Sequence, residues 1–412
     1  MSEGAARPVV RLTDAQRLEW LRLIRSEGVG PRTFRKLVNH FGSAAEALRE
    51  LPGLARQRHV PVPRITTMAE AEREMELAAR LGVVFVATGE PDYPVPLAAI
   101  ADAPPILGLR GDARCLSAPA VAIVGSRNAS AAGQQFARSL AAGLGRAGFT
   151  IVSGLARGID ARAHEASLAT GTVAVLAGGH EHPYPPEHAA LLEQVLETGV
   201  ALSEMPTGWE PRGRDFPRRN RLVSGLGLGT VLIEAARKSG SLITARFALE
   251  QGREVMAVPG SPLDPRAQGT NDLIRQGATL VTGLEDVLEV LEPLLRKPFD
   301  GQHLAREQES PEPDEPLFDE IDYLAEPGAG RPLVLQDEPA RREPVRQERV
   351  HAVDPAITIA GLLGPSPVSV DDLIRMSSLH PGTVHLALYE LESRGLLDRH
   401  AGTKVSLRPT SA

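Results

Sequence analysis

The stretch "DFPRRNRLVSG", residues 215–225, packs Arg218, Arg219 and Arg221 around Asn220. On a helical turn Arg218 and Arg221 share a face. Guanidinium groups at that density suit phosphate more than a small neutral ligand. Further basic residues sit in glycine-containing loops. "IVGSRNASAAG" carries Gly125, Ser126 and Arg127, "SGLARGIDARAHEAS" carries Arg157, and "EAARKSGSLITA" carries Lys238, Ser239 and Gly240. Glycine lets a ligand backbone come close, and a following helix turns its first N–H groups toward an anion. The Gly125 to Gly133 spacing does not fit G-x-G-x-x-G, and no acid is placed for a ribose, so dinucleotide binding is not expected.

Other residues could do chemistry but have simpler readings. Asp160 reads as a helix N-cap. His164 could act as a base, although a helical His without a metal partner is usually structural. His180, His182 and His188 share the loop "AGGHEHPYPPEH" with Glu181 and Glu187. Their spacing matches no zinc motif, which leaves a metal there as the lesser reading, and no cofactor is expected. Lone Cys115 excludes a disulfide framework and a cysteine-built zinc site.

These loops need a scaffold that gathers them. From about residue 118, runs such as "AVAIVGS", "FTIVSG", "TVAVLAGG", "VALSE", "TVLIEA" and "EVMAVPG" alternate with amphipathic helical stretches. Apolar runs without polar alternation are strands covered on both faces. The fold class is therefore α/β, a Rossmann-like, doubly wound parallel sheet. Its strand tips are where such sheets bind ligands. All the basic loops fall at those tips on one edge, and no paired acids are evident beside them. The strip suits a polyanion.

Two further regions flank the sheet. Residues 15–50 read as helices, and "IRSEGVGPRTFRKLV" has a helix-hairpin-helix pattern. Gly28 and Gly30 would allow the tight turn, with Arg32, Arg35 and Lys36 just beyond it. The same glycines would serve a plain helical hairpin. Residues 354–408 read as three helices and a hairpin, a winged helix. Its reading helix, "PGTVHLALYELES", has two Glu and no Lys or Arg. That favours protein binding, or weak DNA contact through Arg399 and Lys404. The expected division is 1–110 an all-α (helix-hairpin-helix, SAM-like) domain and its connection, 111–296 sheet domain, 297–352 acidic Pro-rich disordered linker, and 353–412 winged helix.

The formal net charge of -7 is misleading. Residues 300–350 hold 14 Asp/Glu against 6 Lys/Arg, so the rest of the chain is close to neutral. One basic strip can then dominate a face. Aromatic residues make up only 4%, too few for a broad stacking surface. No apolar run could cross a bilayer and the N-terminus lacks a signal-peptide core, which points to a soluble intracellular protein.

Six blocks occur in order: "VAIVGSRNAS", "SGLARGIDARAHEASL", "SEMPTG", "FPRRNRLVSGL", "EAARKSGSLITARFALEQGREVMAVPGS" and "GTNDLIRQGA". Over about 100–285 the chain resembles the DNA-processing protein A family (DprA, also called Smf). The resemblance implies a bacterial cytoplasmic protein of natural transformation. It would bind single-stranded DNA, and double-stranded DNA more weakly, and would be a homodimer rather than an enzyme. It would help load a RecA-type recombinase onto strands coated by single-strand binding protein. The implied DNA pocket uses Gly125, Ser126, Arg127, Arg157, Arg218, Arg219, Asn220, Arg221, Lys238, Ser239 and Gly240. Phe216 offers a stacking or packing face. Gly28, Gly30 and Arg32 are secondary DNA candidates, and Leu273 and Ile274 candidates for the dimer or recombinase surface. The Gly-rich "SGLGLGTVLIEA" is similar to a motif of nucleoside-monophosphate phosphoribohydrolases. This leaves an alternative, an N-glycosidic enzyme using Glu234 with Arg218 or Arg219. The PGG opening of that motif is absent.

Overall fold

A computed structural model describes residues 11–57, 61–295, 354–365, 367–400 and 403–408. The acidic stretch 297–352 lies outside them. The described chain divides into two compact units, one carrying the N-terminal helices and a nine-stranded sheet, the other the C-terminal helices and a three-stranded sheet.

Helices α1 (Asp14–Arg25), α2 (Pro31–Phe41), α3 (Ala44–Gln57) and α4 (Met68–Arg80) form the helical region. Thr13 with Gln16 and Thr67 with Glu70 close capping boxes at the starts of α1 and α4. The α1–α2 turn is the expected one: Gly28 has φ +70° and Gly30 caps α2 ahead of Pro31. Arg32, Arg35 and Lys36 are exposed on α2.

The sheet strands are β1 (Val84–Ala87), β2 (Ile106–Gly111), β3 (Ala120–Gly125), β4 (Thr150–Ser153), β5 (Thr172–Val175), β6 (Val200–Ser203), β7 (Gly229–Ile233), β8 (Glu254–Ala257) and β9 (Thr279–Leu280). They lie in the order β1-β2-β6-β5-β4-β3-β7-β8-β9. The strands from β6 to β9 are parallel, with Val124 opposite Leu232 and Ala122 opposite Val152. β1 and β2 are added antiparallel, with Leu109 opposite Leu202. The sheet therefore begins at Val84, inside the stretch expected to be helical domain and connection. These two strands stand outside the regular strand–helix alternation that marks the parallel part of the sheet.

Between the strands run α5 (Val95–Ala98), α6 (Ala131–Arg146), α7 (Ile159–Ser167), α8 (Ala189–Thr198), α9 (Asp215–Leu226), α10 (Ser241–Glu250), α11 (Gln268–Arg275) and α12 (Leu284–Leu295). Val173 and Val175 of β5 face a core with Leu202, Leu222 and Leu232. Ala174 faces the other side, with Leu191 and Val195 of α8. Both faces are covered, which is why the strands read as unbroken apolar runs. The second unit holds α13 (Pro355–Leu362), β10 (Val368–Ser369), α14 (Val370–Ser377), α15 (Pro381–Ser393), β11 (Leu397–His400) and β12 (Lys404–Leu407), a winged helix. Among the described residues no helix is long and apolar enough to cross a membrane.

The helical region is fastened to the antiparallel edge. Leu21, Ala71 and Ala78 pack with Phe85 and Ile106. Arg25 of α1 pairs with Glu74 at 2.9 Å and donates to the Glu204 carbonyl at 2.8 Å, and Thr207 N–H reaches Glu74 at 3.3 Å. Arg25 and Glu74 are nearly buried, so removing one partner strands the other. Arg25→Ala is expected to cost about 3 kcal/mol of stability, read as a lowered denaturant midpoint.

Candidate nucleic-acid interface

β3 lies between β4 and β7, the place where the chain's winding reverses direction. In open α/β sheets ligands bind outside the carboxyl ends of the strands at such a point. Three segments meet there: Ser126 and Arg127 after β3, 154–158 after β4 and 234–240 after β7. The backbones crowd closely. Gly158, at φ +72°, abuts the carbonyls of Ser126 and Arg127, and a Cβ would collide with both. The Ile159 N–H donates to the Ser126 carbonyl at 3.2 Å. The tips of β4 and β7 carry Leu155 and Glu234 at φ +58° and +53°, strained values for residues with side chains.

The arginine block of α9 does not behave as one surface. Arg219 is buried and turned under the β4 tip. Its Nη1 donates to the carbonyls of Gly154 and Val175. A Cβ on Gly154 would lie 2.5 Å from this guanidinium. Arg221 has a side chain only 1% exposed, held between Glu204 and Asp102, the latter at 3.2 Å. Arg218 is partly exposed and shares Glu204 at 3.2 Å. Arg218 and Arg221 do share a helical face, as their spacing predicts. Paired acids are nevertheless present: Glu204, Asp102 and Asp160. Arg219 and Arg221, both expected to line the site, are thus buried in the fold, while Arg218 stays partly exposed. Asn220 donates to the Gly240 carbonyl at 3.2 Å, tying α9 to the third loop, and it accepts from Arg219 Nε.

Asp160 is not an N-cap either. Gly158 starts α7, and the buried Asp160 carboxylate instead accepts from Gly154 and Ala156 N–H at 3.1 and 3.4 Å. Burial raises its pKa, against the nearby positive charge of Arg219, and burial pushes the Arg219 pKa down to about 10.

What remains at the surface is a smaller set. Arg127, Arg157 and Lys238 are exposed, and Ser126, Ser239 and Phe216 are half-buried. Gly125 ends β3, half-buried beside Ile233, and Gly240 is exposed at the start of α10. Arg127 lies over the Phe216 ring, 5.2 Å from its centroid, and Tyr184 meets the same ring nearly edge-on at 5.2 Å. Arg157 pairs with exposed Glu187. An exposed pair of this kind is weak, so a phosphate can compete for the cation.

The three histidines of the neighbouring loop have other partners. His180 Nε2 lies 2.9 Å from the Gly108 carbonyl and His188 Nδ1 lies 2.8 Å from the Leu155 carbonyl. His182 is exposed beside Glu181. His164 is buried, with Nδ1 2.8 Å from Thr172 Oγ1. Burial pushes the pKa of His164 down to about 3 and that of His180 to about 4. Burial likewise pushes the Cys115 thiol up to about 12, leaving it unreactive.

Outside this edge, Leu273 and Ile274 of α11 are both half-buried, with Leu273 packed partly against the sheet core. In the winged helix, Leu386 and Tyr389 of α15 are 72% and 69% exposed, while Arg399 is bound bidentately by Glu392 of the same helix.

Comparisons with known proteins place the chain in a family. A family model described as DNA recombination-mediator protein A matches residues 84–292, half of the chain. The chain belongs to that family. A DprA-like N-terminal helix-hairpin-helix domain matches 14–77 and a DprA winged-helix domain matches 344–403. Among relatives, Protein Smf of Synechocystis is 31% identical over 416 residues, covering 96% of this chain and all of that one. DNA processing protein DprA of Bacillus subtilis is 43% identical over 232 residues, covering 56% of this chain and 76% of that one. The crystal structure of DprA from Streptococcus pneumoniae superposes with TM-score 0.57 at 31% identity, covering 68% of this chain and 98% of that one.

The buried imidazoles make stability depend on pH. An unfolded His takes up a proton near pH 6.5, whereas His180 and His164 in the fold resist it until about 4 and 3. Stability is therefore full above about pH 6.5 and is lost as pH falls toward 4, by about 1.4 kcal/mol per pH unit for each. Urea unfolding at pH 7, 6 and 5 is expected to show this slope, and His180→Gln to reduce it by about one group's share.

Proposed function

We propose that this protein binds single-stranded DNA along the carboxyl edge of its sheet, in DNA processing that feeds recombination. The observation that carries the reading is the convergence of Arg127, Arg157 and Lys238, all exposed, on the switch-point loops. Arg218 adds a partly exposed cation whose carboxylate is shared with Arg221. Gly125, Ser126, Ser239 and Gly240 let the sugar-phosphate backbone approach, and Phe216 offers a face to a base. The relatives' names as DNA processing proteins supply the polyanion. The work is binding, not turnover: cations displace counterions from the strand, and the strained loops are already in place when it arrives.

The finer roles follow the same reading. The protein protects incoming strands in natural transformation and helps load a RecA-type recombinase onto strands coated by single-strand binding protein. It acts as a homodimer in the cytoplasm, so two tracks add in avidity. Ile274, with exposed Leu263 and Leu280 near the β9 edge, is the apolar material for the partner contact. The α1–α2 turn, with Gly28, Gly30 and Arg32, offers a secondary phosphate contact, and double-stranded DNA binds more weakly.

Fluorescence-anisotropy titration of a labelled oligonucleotide at several salt concentrations tests the track. Arg127→Ala/Lys238→Ala is expected to weaken binding and lower the salt slope by roughly 1.5 to 2. Arg221→Ala is expected to lower stability first. Salt-insensitive binding in the wild type would overturn the reading.

The winged helix is the protein-docking module in this reading, because its reading helix offers Leu386 and Tyr389 where a DNA reader needs cations or amides. Deleting residues 353–412 is expected to leave single-strand affinity within about three-fold, checked in the same titration.

A further inference from the structure

Two residues at the switch point have no part in the phosphate track. Gly133 fits no nucleotide fingerprint, and Glu234 is an acid just ahead of Arg237 and Lys238. The structure brings the two together. β3 feeds α6, whose first turn holds Gly133, and the neighbouring strand β7 runs straight into Glu234. A Cβ on Gly133 would lie 2.6 Å from the Glu234 carboxyl carbon and 2.7 and 2.9 Å from its two oxygens. Glycine at 133 therefore makes room for this carboxylate. Glu234 is half-buried and reaches the helix from a φ of +53°, a left-handed value that costs energy for any residue with a side chain. Such strain persists only where the surroundings hold it.

The start of the helix after a central strand is where an open α/β sheet takes a phosphate. The first N–H groups and the positive end of the helix dipole face the anion, and a glycine lets it come close. Here the chain itself sets a negative group against that turn. We propose that Glu234 is an internal substitute for a ligand phosphate, closing a latent site for the phosphate of a mononucleotide at the start of α6. A phosphate dianion entering there meets a like charge and an occupied space. The closure keeps free nucleotides off the switch point. It also turns the acid that a glycosidic enzyme would aim at a sugar onto the helix instead. The inference is independent of the DNA-binding reading, because it concerns a phosphomonoester at α6 and not a strand across the tips.

Isothermal titration of inorganic phosphate, and of adenosine monophosphate, into the full chain at fixed ionic strength tests the closure. Wild type is expected to take up neither. Glu234→Gly removes the carboxylate and suits the left-handed backbone. It is expected to bind phosphate more tightly than wild type by about ten-fold or more, because the like charge is gone. Phosphate is then expected to raise the thermal midpoint of the variant and not that of wild type. Glu234→Asn, uncharged, shorter and tolerant of positive φ, gives the same readout should the glycine variant fail to fold. Gly133→Ala tests the contact itself. Alanine ordinarily stabilises a helix over glycine, but in the wild-type chain it also displaces the carboxylate. Its denaturant midpoint is therefore expected to rise more in the Glu234→Gly background than in wild type. Equal shifts in both backgrounds, phosphate binding by wild type as tight as by the variants, or no binding by either Glu234 variant would overturn the assignment.

Discussion

Arg221 is the constraint from which the site is built. A guanidinium at 1% exposure must have opposing charge, because an unpaired buried cation costs several kcal/mol. Here the charge comes from Glu204, one residue past β6, and from Asp102, just ahead of β2. The pairings fix α9 against the antiparallel edge of the sheet. Arg25 of the helical region donates to the backbone of the same Glu204. One buried cluster thus joins the α9 helix, two strands and the N-terminal helices, and a change in any member is felt by the others.

Arg219, two residues earlier on α9, repeats the device at the parallel side. It ties α9 to the carbonyls ending β4 and β5, and Asp160 holds the N–H groups of the same β4 loop. The loop is gripped from both polarities, donors by a carboxylate and acceptors by a guanidinium. That grip holds Leu155 at a positive φ and leaves Arg157 at the surface. Buried charge here stabilises a particular loop shape, while exposed charge is free for a ligand. The density of arginines in the block reflects two jobs that share a helix.

How much of this was legible follows from the range of each interaction. The parallel strands were readable because burial on both faces leaves an unbroken apolar run, a local signature. The sharing of a face by Arg218 and Arg221 was readable from helical spacing. The burial of Arg221 was not, because Asp102 lies more than a hundred residues earlier and nothing local marks it as a partner. Asp160 looked like a cap because caps are where Asp usually precedes an apolar helix. The positive φ of Gly158 moved the start of the helix back by two residues. β1 and β2 lie outside the regular alternation of strand and helix, and only β2 pairs with the parallel part of the sheet, through β6.

The histidine loop shows the same limit from the other direction. Three histidines in nine residues draw attention as ligands, since side-chain type is all a sequence displays. In the fold, two of the rings meet backbone carbonyls on β2 and at the β4 tip, and what they position is the tyrosine between them. Low aromatic content argued against a stacking surface. In the fold a single pair of rings, Tyr184 and Phe216, meets at 69° beside exposed Arg127. Composition counts residues, whereas recognition depends on how few of them are held in place.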